Sequence, residues 1–266
     1  MDEDEYQRMV AAGERHWWYQ ASRSLLEMLV TPHLPVIGAD TLYLDAGGGS
    51  GATGSWLADK GTTVLDDYEP IALKAAVHDH AGYRGVRANI NFLPHHSATF
   101  DAVLCVTALC HRMNPDPQAI VNEFARVAKP GGLVCLMEPG GKRLWRGHDD
   151  VTHTARRFSL AEMRSMVKGA GLDLVRATGA FSFLVPPAAV MGVVERGKNK
   201  SDVGRNEGGL GGALGQVARA ERALLRKVDL PFGLSVIAIG RKAALLIFHQ
   251  SARKSPASSS SSLLPC

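Results

Sequence analysis

The sequence predicts an α/β chain built on a doubly wound, mostly parallel sheet with helices on both faces. Three observations carry that expectation. Short apolar runs alternate with helical periodicities along residues 41–170. The first of these runs stops at a glycine cluster, Gly47-Gly-Gly-Ser-Gly51, placed as a turn between a strand and a helix. The chain has 266 residues, 45% hydrophobic and 21% charged, which is the balance of a globular domain of ordinary size.

Each element has its own local reason. From about Asp2 to Val30, Tyr6, Met9, Val10, Gly13 and Trp17 recur at steps of three and four, a helical period that Pro32 and Pro35 end. Thr41-Leu-Tyr-Leu-Asp45 is the first strand, Ala52–Asp59 the helix after the glycines, and Gly61 its stop. Thr62-Thr-Val-Leu65 is the second strand, ending in Asp66-Asp67. A helix over Leu73–Asp79, a strand over Phe100–Val106 and a helix over Ala119–Ala128 follow, the last closed by Lys129-Pro-Gly-Gly132 before a strand over Leu133–Glu138. Ser159-Leu-Ala-Glu162 has the form of a capping box and starts a helix running to about Ala170. Leu172–Thr178 and Leu234–Ile239 read as two more strands.

An insertion of about residues 187–230 separates these two strands. It holds a glycine-rich link, Gly208-Gly-Leu-Gly-Gly212, and a basic amphipathic helix over residues 213–228. On that helix Leu214, Val217, Leu224, Leu225 and Val228 are expected to share the packing face, opposite Arg219, Arg222, Arg226 and Lys227. The longest mostly apolar stretch, Phe181–Val194, has 14 residues. A membrane span needs about 20, so it reads as a buried strand or core segment. Residues 251–266, with five consecutive serines, read as a disordered tail.

Composition excludes a wholly disordered chain, a collagen-like repeat and a polytopic membrane protein. The opening Met1-Asp-Glu-Asp-Glu5 is acidic where a secretory signal is basic. Four cysteines (Cys105, Cys110, Cys135, Cys266) with no C-x-x-C pair suit reduced thiols in the cytoplasm. The net charge of +4 is uneven. Residues 195–254 hold 12 Lys+Arg against 5 Asp+Glu, a net +7, leaving 18 against 21, or −3, for residues 1–194. The basic part hints at an anionic partner.

The glycine cluster is where chemistry concentrates. Gly47, Gly49 and Gly51 sit just past a strand, where bare backbone lets N–H groups approach a ligand. Gly49-x-Gly51-x-x-Gly54 also fits the dinucleotide pattern, which two kinds of nucleoside-binding fold share. Asp45 precedes the glycines; an acid there repels a pyrophosphate and suits the cationic amino acid end of S-adenosylmethionine. Asp67, closing the second strand, can accept from both ribose hydroxyls.

Leu44-Asp-Ala-Gly-Gly-Gly-Ser-Gly51, Asp67-Tyr-Glu-Pro70, Leu93-Pro94, Phe100-Asp-Ala-Val103 and Ala128-Lys-Pro-Gly-Gly132 together resemble the successive motifs of class I S-adenosylmethionine-dependent methyltransferases. The resemblance spans about residues 42–138. It implies a Rossmann-like, seven-stranded sheet with an antiparallel last strand, to which Leu172–Ile239 would supply the final hairpin. It also implies that S-adenosylmethionine is the cofactor, with Gly47, Gly49 and Gly51 along its amino acid portion and Asp67 on the ribose. Asn89 would stand where the family has an adenine-contacting aspartate, accepting from the exocyclic amine through its side-chain oxygen, and the backbone near Val106 and Thr107 would close the pocket. His16-Trp-Trp-Tyr19, Asp150-Val-Thr-His153, Arg156-Arg-Phe158 and Leu230-Pro-Phe-Gly-Leu-Ser235 resemble a bacterial "type 11" branch of the family, which fixes no substrate class.

The acceptor side is read from the tract Arg146–Arg157, at the sheet edge where ligands bind in doubly wound folds. His153, beside carboxylates, and His111, just past the fourth strand, are candidate general bases. Arg156 and Arg157 are candidate anion binders and Trp17 a candidate lid residue over the substrate. His148, Asp150 and His153 fit no standard metal spacing, so no metal is expected. The domain layout expected is a helical cap over residues 1–35, a catalytic domain over 36–250 and the tail.

The function expected is methyl transfer to a small-molecule, lipid or glycan acceptor through oxygen. Val106-Thr-Ala-Leu-Cys110 stands where an Asn-Pro-Pro-aromatic tetrad would mark amino methylation of adenine or glutamine, and the only Pro-Cys pair is terminal. A nucleic acid partner is therefore not expected, while the basic helix could touch an anionic membrane. Two alternatives stay open at this point: a nicotinamide-dependent oxidoreductase, and a methyltransferase-like binding module without turnover.

Overall fold

The computed structural model describes residues 7, 10–11, 13–35, 37–38, 40–194 and 209–244. The serine-rich tail, Cys266, most of residues 1–12 and the basic stretch 195–208 lie outside the described residues. Among those described, seven strands form one sheet: β1 (Leu42–Ala46), β2 (Thr62–Asp67), β3 (Tyr83–Arg87), β4 (Phe100–Val106), β5 (Ala128–Pro139), β6 (Leu172–Ala180) and β7 (Ser235–Lys242). Their order is β3-β2-β1-β4-β5-β7-β6. Pairings up to β4–β5 are parallel, and β7 lies antiparallel to both neighbours. The order reverses between β1 and β4, so the carboxyl ends of those strands open onto a crevice.

The central strands are apolar on both faces, because helices cover both. On one side Leu44, Val103, Val134 and Leu136 pack with Phe124 and Val127 of α3 (Pro117–Val127) and with Met163 and Val167 of α5 (Leu160–Gly169). On the other, Tyr43, Leu104, Leu133, Cys135 and Ile239 pack with Leu25, Leu26 and Leu29 of α1 (Trp17–Val30). The capping box that starts α5 is formed: Ser159 N donates to Glu162 Oε2 at 2.9 Å and Glu162 N to Ser159 Oγ at 3.3 Å.

Several elements differ from the sequence reading, each for a local reason. The N-terminal helix does not run through to Val30 unbroken; a turn at Gly13, with φ of 39°, and a cap at His16 set off α1. No α-helix follows the glycine cluster, only a 3-10 turn at Ser55–Leu57. Gly51 and Gly54 weaken helix formation there, and a Cβ at Gly54 would lie 2.2 Å from Asp45 Oδ2. The helix after β2, α2 (Pro70–Asp79), starts three residues earlier than expected, with Pro70 as a preorganised first residue. β3 was absent from the reading altogether. Lys129-Pro-Gly-Gly132 belongs to β5 instead of stopping short of it, at the cost of a register shift against β4 between Phe100 and Ala102. A short helix, α4 (Gly147–Val151), lies within the tract Arg146–Arg157, for which the sequence predicts no element.

The apolar stretch Phe181–Val194 is neither a strand nor fully buried. It forms a 3-10 turn and α6 (Val185–Val194), with Pro186 and Pro187 in its first turn and Val190 65% exposed. The basic helix is α7 (Gly209–Leu225), rotated relative to expectation. It packs Ala218 and Leu225 inward and leaves Val217 and Leu224 exposed. Polar ties hold it: Glu221 Oε1 accepts from Ser182 N at 2.9 Å and from Ser182 Oγ, Arg176 Nη2 donates to Leu225 O, and Arg176 Nε donates to Asp229 Oδ1 at 2.7 Å just past its end. No described helix is long and apolar enough to cross a membrane.

Candidate active site

At the carboxyl ends of β1, β2 and β4 lies a cleft of about 650 Å³, roofed by α1, α6 and α7. Its cofactor half is built from the glycine loop. Gly47, Gly49 and Gly51 all have positive φ (68°, 57° and 77°), which is why alternate positions of this turn are glycine. Asp67 pins the loop from the neighbouring strand: its Oδ2 accepts from Gly49 N at 2.9 Å and its Oδ1 from Glu69 N at 2.9 Å. Each carboxylate oxygen keeps a further lone pair toward the cleft it lines.

Asp45 lies beneath the loop, wedged between Gly48 and Gly54. Tyr83 Oη stands 2.8 Å from Asp45 Oδ2 and 3.1 Å from the Gly51 carbonyl. Burial raises the Asp45 pKa to about 7, against the pull of the tyrosine hydrogen bond. Gly51 faces this tyrosine and not the cleft, since a Cβ there would meet Tyr83 Cε2 at 2.5 Å. Of the residues read as cofactor ligands, Asp45, Gly47, Gly49, Asp67, Asn89 and Val106 line the cleft, and Gly51 supports it from behind.

The Asn89 oxygen is already engaged, accepting from Asn91 N at 2.9 Å and Asn91 Nδ2 at 2.7 Å. Both its lone pairs are used, so the amide N–H₂ group, not the oxygen, is left to meet a ligand. That corrects the sequence reading of an accepting oxygen at this position.

The other half of the cleft carries the reactive side chains. Past β4, the backbone of residues 107–110 is folded over Glu138, a carboxylate buried at the end of β5. Ala108 N and Leu109 N donate to its Oε1 at 3.1 and 2.9 Å, and Cys110 N to its Oε2 at 3.1 Å. Burial pushes the Glu138 pKa up to about 8 while these N–H groups pull it down. The loop delivers His111 to the cleft wall, with its Nδ1 buried and without a hydrogen-bond partner. Desolvation lowers the His111 pKa, so the ring is neutral at physiological pH.

The remaining acceptor candidates separate. His153 is not among the cleft residues; it sits in a left-handed turn (φ 53°), its N–H bonded to Asp150 O and its carbonyl to Arg112 N. Arg156 also lies outside the cleft, half-buried and donating to Pro115 O at 3.1 Å. Arg157 lines the cleft, but its fork is committed to Asp149 (Nε to Oδ1 3.0 Å, Nη2 to Oδ2 2.9 Å) and its Nη1 to Gly140 O at 2.9 Å. It therefore holds the floor of the site and is not poised to take an anion. Trp17 lines the roof beside His16, Trp18 and Tyr19, edge-on to Phe181 at 6.1 Å. Arg146 and His148, of the tract expected on the acceptor side, also line the cleft. Among the described residues no group of three or more His, Cys, Asp or Glu is placed to hold a metal ion.

The arrangement disfavours a dinucleotide. A pyrophosphate is ordinarily held at the N-terminus of an α-helix after the glycines, and here a buried aspartate and a 3-10 turn stand in that place. It suits a nucleoside with a cationic end.

Comparison with known proteins agrees. Residues 44–136 match the methyltransferase domain family. The chain is 31% identical over 170 residues to a ubiquinone biosynthesis O-methyltransferase of Xylella fastidiosa (strain 9a5c), covering 56% of this chain and 67% of that protein. It is 27% identical over 201 residues to methyltransferase GfsG of Streptomyces halstedii, covering 63% and 70%. The match spans only 28% of another curated relative, the biotin biosynthesis bifunctional protein BioHC of Teredinibacter turnerae. Among solved structures, a chain from the complex of the Haloferax volcanii Trm112 methyltransferase activator with a methyltransferase superposes at a TM-score of 0.59. The sequences there are 21% identical, and the match covers 91% of this chain and 95% of that one. With the sheet order, the loop and these matches together, the chain belongs to the class I S-adenosylmethionine-dependent methyltransferases.

Proposed function

We propose that the protein transfers a methyl group to a hydroxyl oxygen of a small-molecule, lipid or glycan acceptor, with His111 as general base. The observation that carries this reading is the placement of a buried, neutral imidazole in the wall of the same cleft as the glycine loop and Asp67. An O-methyltransferase among the relatives supports the choice of oxygen.

Asp67 would take the ribose hydroxyls, and Asp45 with the backbone of Gly47 and Gly49 would take the cationic amino acid end. Gly51 would act through the loop's shape, and Asn89 and Val106 would flank the base. When bound, S-adenosylmethionine supplies an electrophilic methyl group on a positively charged sulfur and leaves as the neutral thioether. The chain's own work is then positioning, which can supply roughly 7–11 kcal/mol of a barrier, and acceptance of the hydroxyl proton by His111.

α1 would act as a cap, and α6 with α7 as an inserted roof. Their Trp17, Trp18, Leu184, Met191 and Leu214 favour an acceptor with an apolar body. The free thiols Cys105, Cys110 and Cys135 support a cytoplasmic setting.

The test is turnover. Cell extract incubated with the protein and isotopically labelled S-adenosylmethionine should yield a labelled methyl ether, identified by mass spectrometry. His111→Gln should then lower kcat by about 10²–10⁴-fold, the usual weight of a general base, with S-adenosylhomocysteine affinity unchanged. A labelled amine or carbon-methylated product, or a variant with full kcat, would overturn the oxygen–base reading.

A further inference from the structure

A second cavity, of about 630 Å³, lies between α1 and α7, on the other side of Trp17 from the methyl-transfer cleft; Trp17 lines both. Three guanidinium groups enter it: Arg15 from the turn before α1, and Arg219 and Arg222 from α7. No Asp or Glu is among its described lining residues. Arg219 Nε donates to Gln216 Oε1 at 3.2 Å, which orients one fork within the cavity wall. The space is held open by missing side chains: a Cβ at Gly212 or Gly215 would meet no atom within 4 Å.

Three cations sharing one concavity, with no acid among the described lining residues, repel each other, and an anion joining them relieves that repulsion. Guanidinium forks match phosphate oxygens two at a time, which a lysine could not do as well. The volume falls in the range that small ligands fill, beyond what an isolated ion needs. A separate observation points the same way. Trp17 lines this cavity, and its indole Nε1–H is buried with no partner among the described residues.

We propose that this second cavity binds a phosphate-bearing anion, gripped by Arg15, Arg219 and Arg222 against the open glycine face of α7. The site stands independently of the acceptor chemistry in the neighbouring cleft. Two sources share the chemistry: a free phosphorylated metabolite, and the headgroup of an anionic phospholipid.

The test uses the full chain and inorganic pyrophosphate as probe, read by isothermal titration calorimetry at low ionic strength. The wild-type protein should bind it, and the Arg219→Gln/Arg222→Gln double variant should bind about tenfold or more weakly, the weight of lost charge-assisted hydrogen bonds. Gly215→Leu, which fills the cavity and removes no charge, should weaken binding as well. It also serves as the readout if the double variant fails to fold. S-adenosylhomocysteine affinity should be unchanged in both, since neither substitution touches the glycine loop. Competition between pyrophosphate and phosphatidylglycerol vesicles would assign the headgroup as the source, and its absence a free phosphorylated molecule; each upholds the site. No pyrophosphate binding by the wild-type protein, or equal binding by either variant, would overturn it.

Discussion

The two halves of the cleft are made in different ways. The cofactor half is sheet: strand ends, a glycine turn and a carboxylate pinned by the Gly49 and Glu69 N–H groups. The acceptor half is roofed by helices: α1, packed on the sheet through Leu25, Leu26 and Leu29, and the inserted α6 and α7, whose polar ties include Glu221 to Ser182 and Arg176 to Leu225 and Asp229. The contrast separates two tasks. A fixed half can present one cofactor unchanged, while an inserted roof can be rebuilt for other acceptors without disturbing it. This is the division expected where a single fold supports many reactions.

The sharpest way to break the comparison is on the floor that both halves share. Arg157→Met strands the buried Asp149 carboxylate and should cost about 3–5 kcal/mol of unfolding free energy, measurable by urea denaturation. A loss under 1 kcal/mol would mean the pair is no keystone. Next in size, Asp67→Ala should weaken S-adenosylmethionine binding by about 1.5–3 kcal/mol and leave acceptor KM alone; calorimetry showing equal affinity in the folded variant would remove Asp67 from the site.

Protonation sharpens the comparison further, because each half has a raised carboxyl behind it, Asp45 under the glycine loop and Glu138 under the segment that leads to His111. Asp45 is shifted up to about 7 by burial, so below that pH it is largely neutral and attracts a cationic cofactor less. S-adenosylmethionine affinity should therefore rise as pH rises from 6 to 8, by at most about tenfold per unit below 7. Stability runs the opposite way. The folded state holds protons on Asp45 and Glu138 that the unfolded chain has released, up to about 7 and about 8 respectively. Their contribution is fully present below pH 4 and is lost as pH rises through those values. Asp45→Asn should flatten part of that slope in thermal unfolding scans. The smallest effect belongs to the roof: Glu221→Gln, which keeps the size but weakens the tie to Ser182, should raise acceptor KM by a fewfold, about 0.5–1 kcal/mol, with cofactor affinity unmoved.

Central strands were legible because burial on both faces writes an apolar run, as in Phe100–Val106, which begins and ends where expected. β3 was not, because Tyr83-Arg-Gly-Val-Arg87 is an edge strand with mostly exposed residues and no apolar signature. The helix after the glycines was overread, since a pattern of apolar residues says nothing about the space Asp45 takes beneath Gly54. Phe181–Val194 is apolar throughout, and such a run has no period to separate strand from helix.

In the site, the strand-end aspartates could be read from position alone. The choice between His111 and His153 could not, because it depends on which way a left-handed turn at His153 aims the chain. Glu138 went unread as a site element, although an acid closing the apolar run Leu133–Met137 was a visible signal. Its partners lie some 30 residues away in sequence, and only the fold brings them together.

That carboxylate has a mechanical consequence. The segment it anchors presses Ala108 against Gly47, where a Cβ would stand 2.8 Å from the Ala108 methyl, and a few residues on it carries His111. The glycine loop and His111 are thus geared to one tooth. Trimming it by a single methylene, as in Glu138→Asp, would slacken both together.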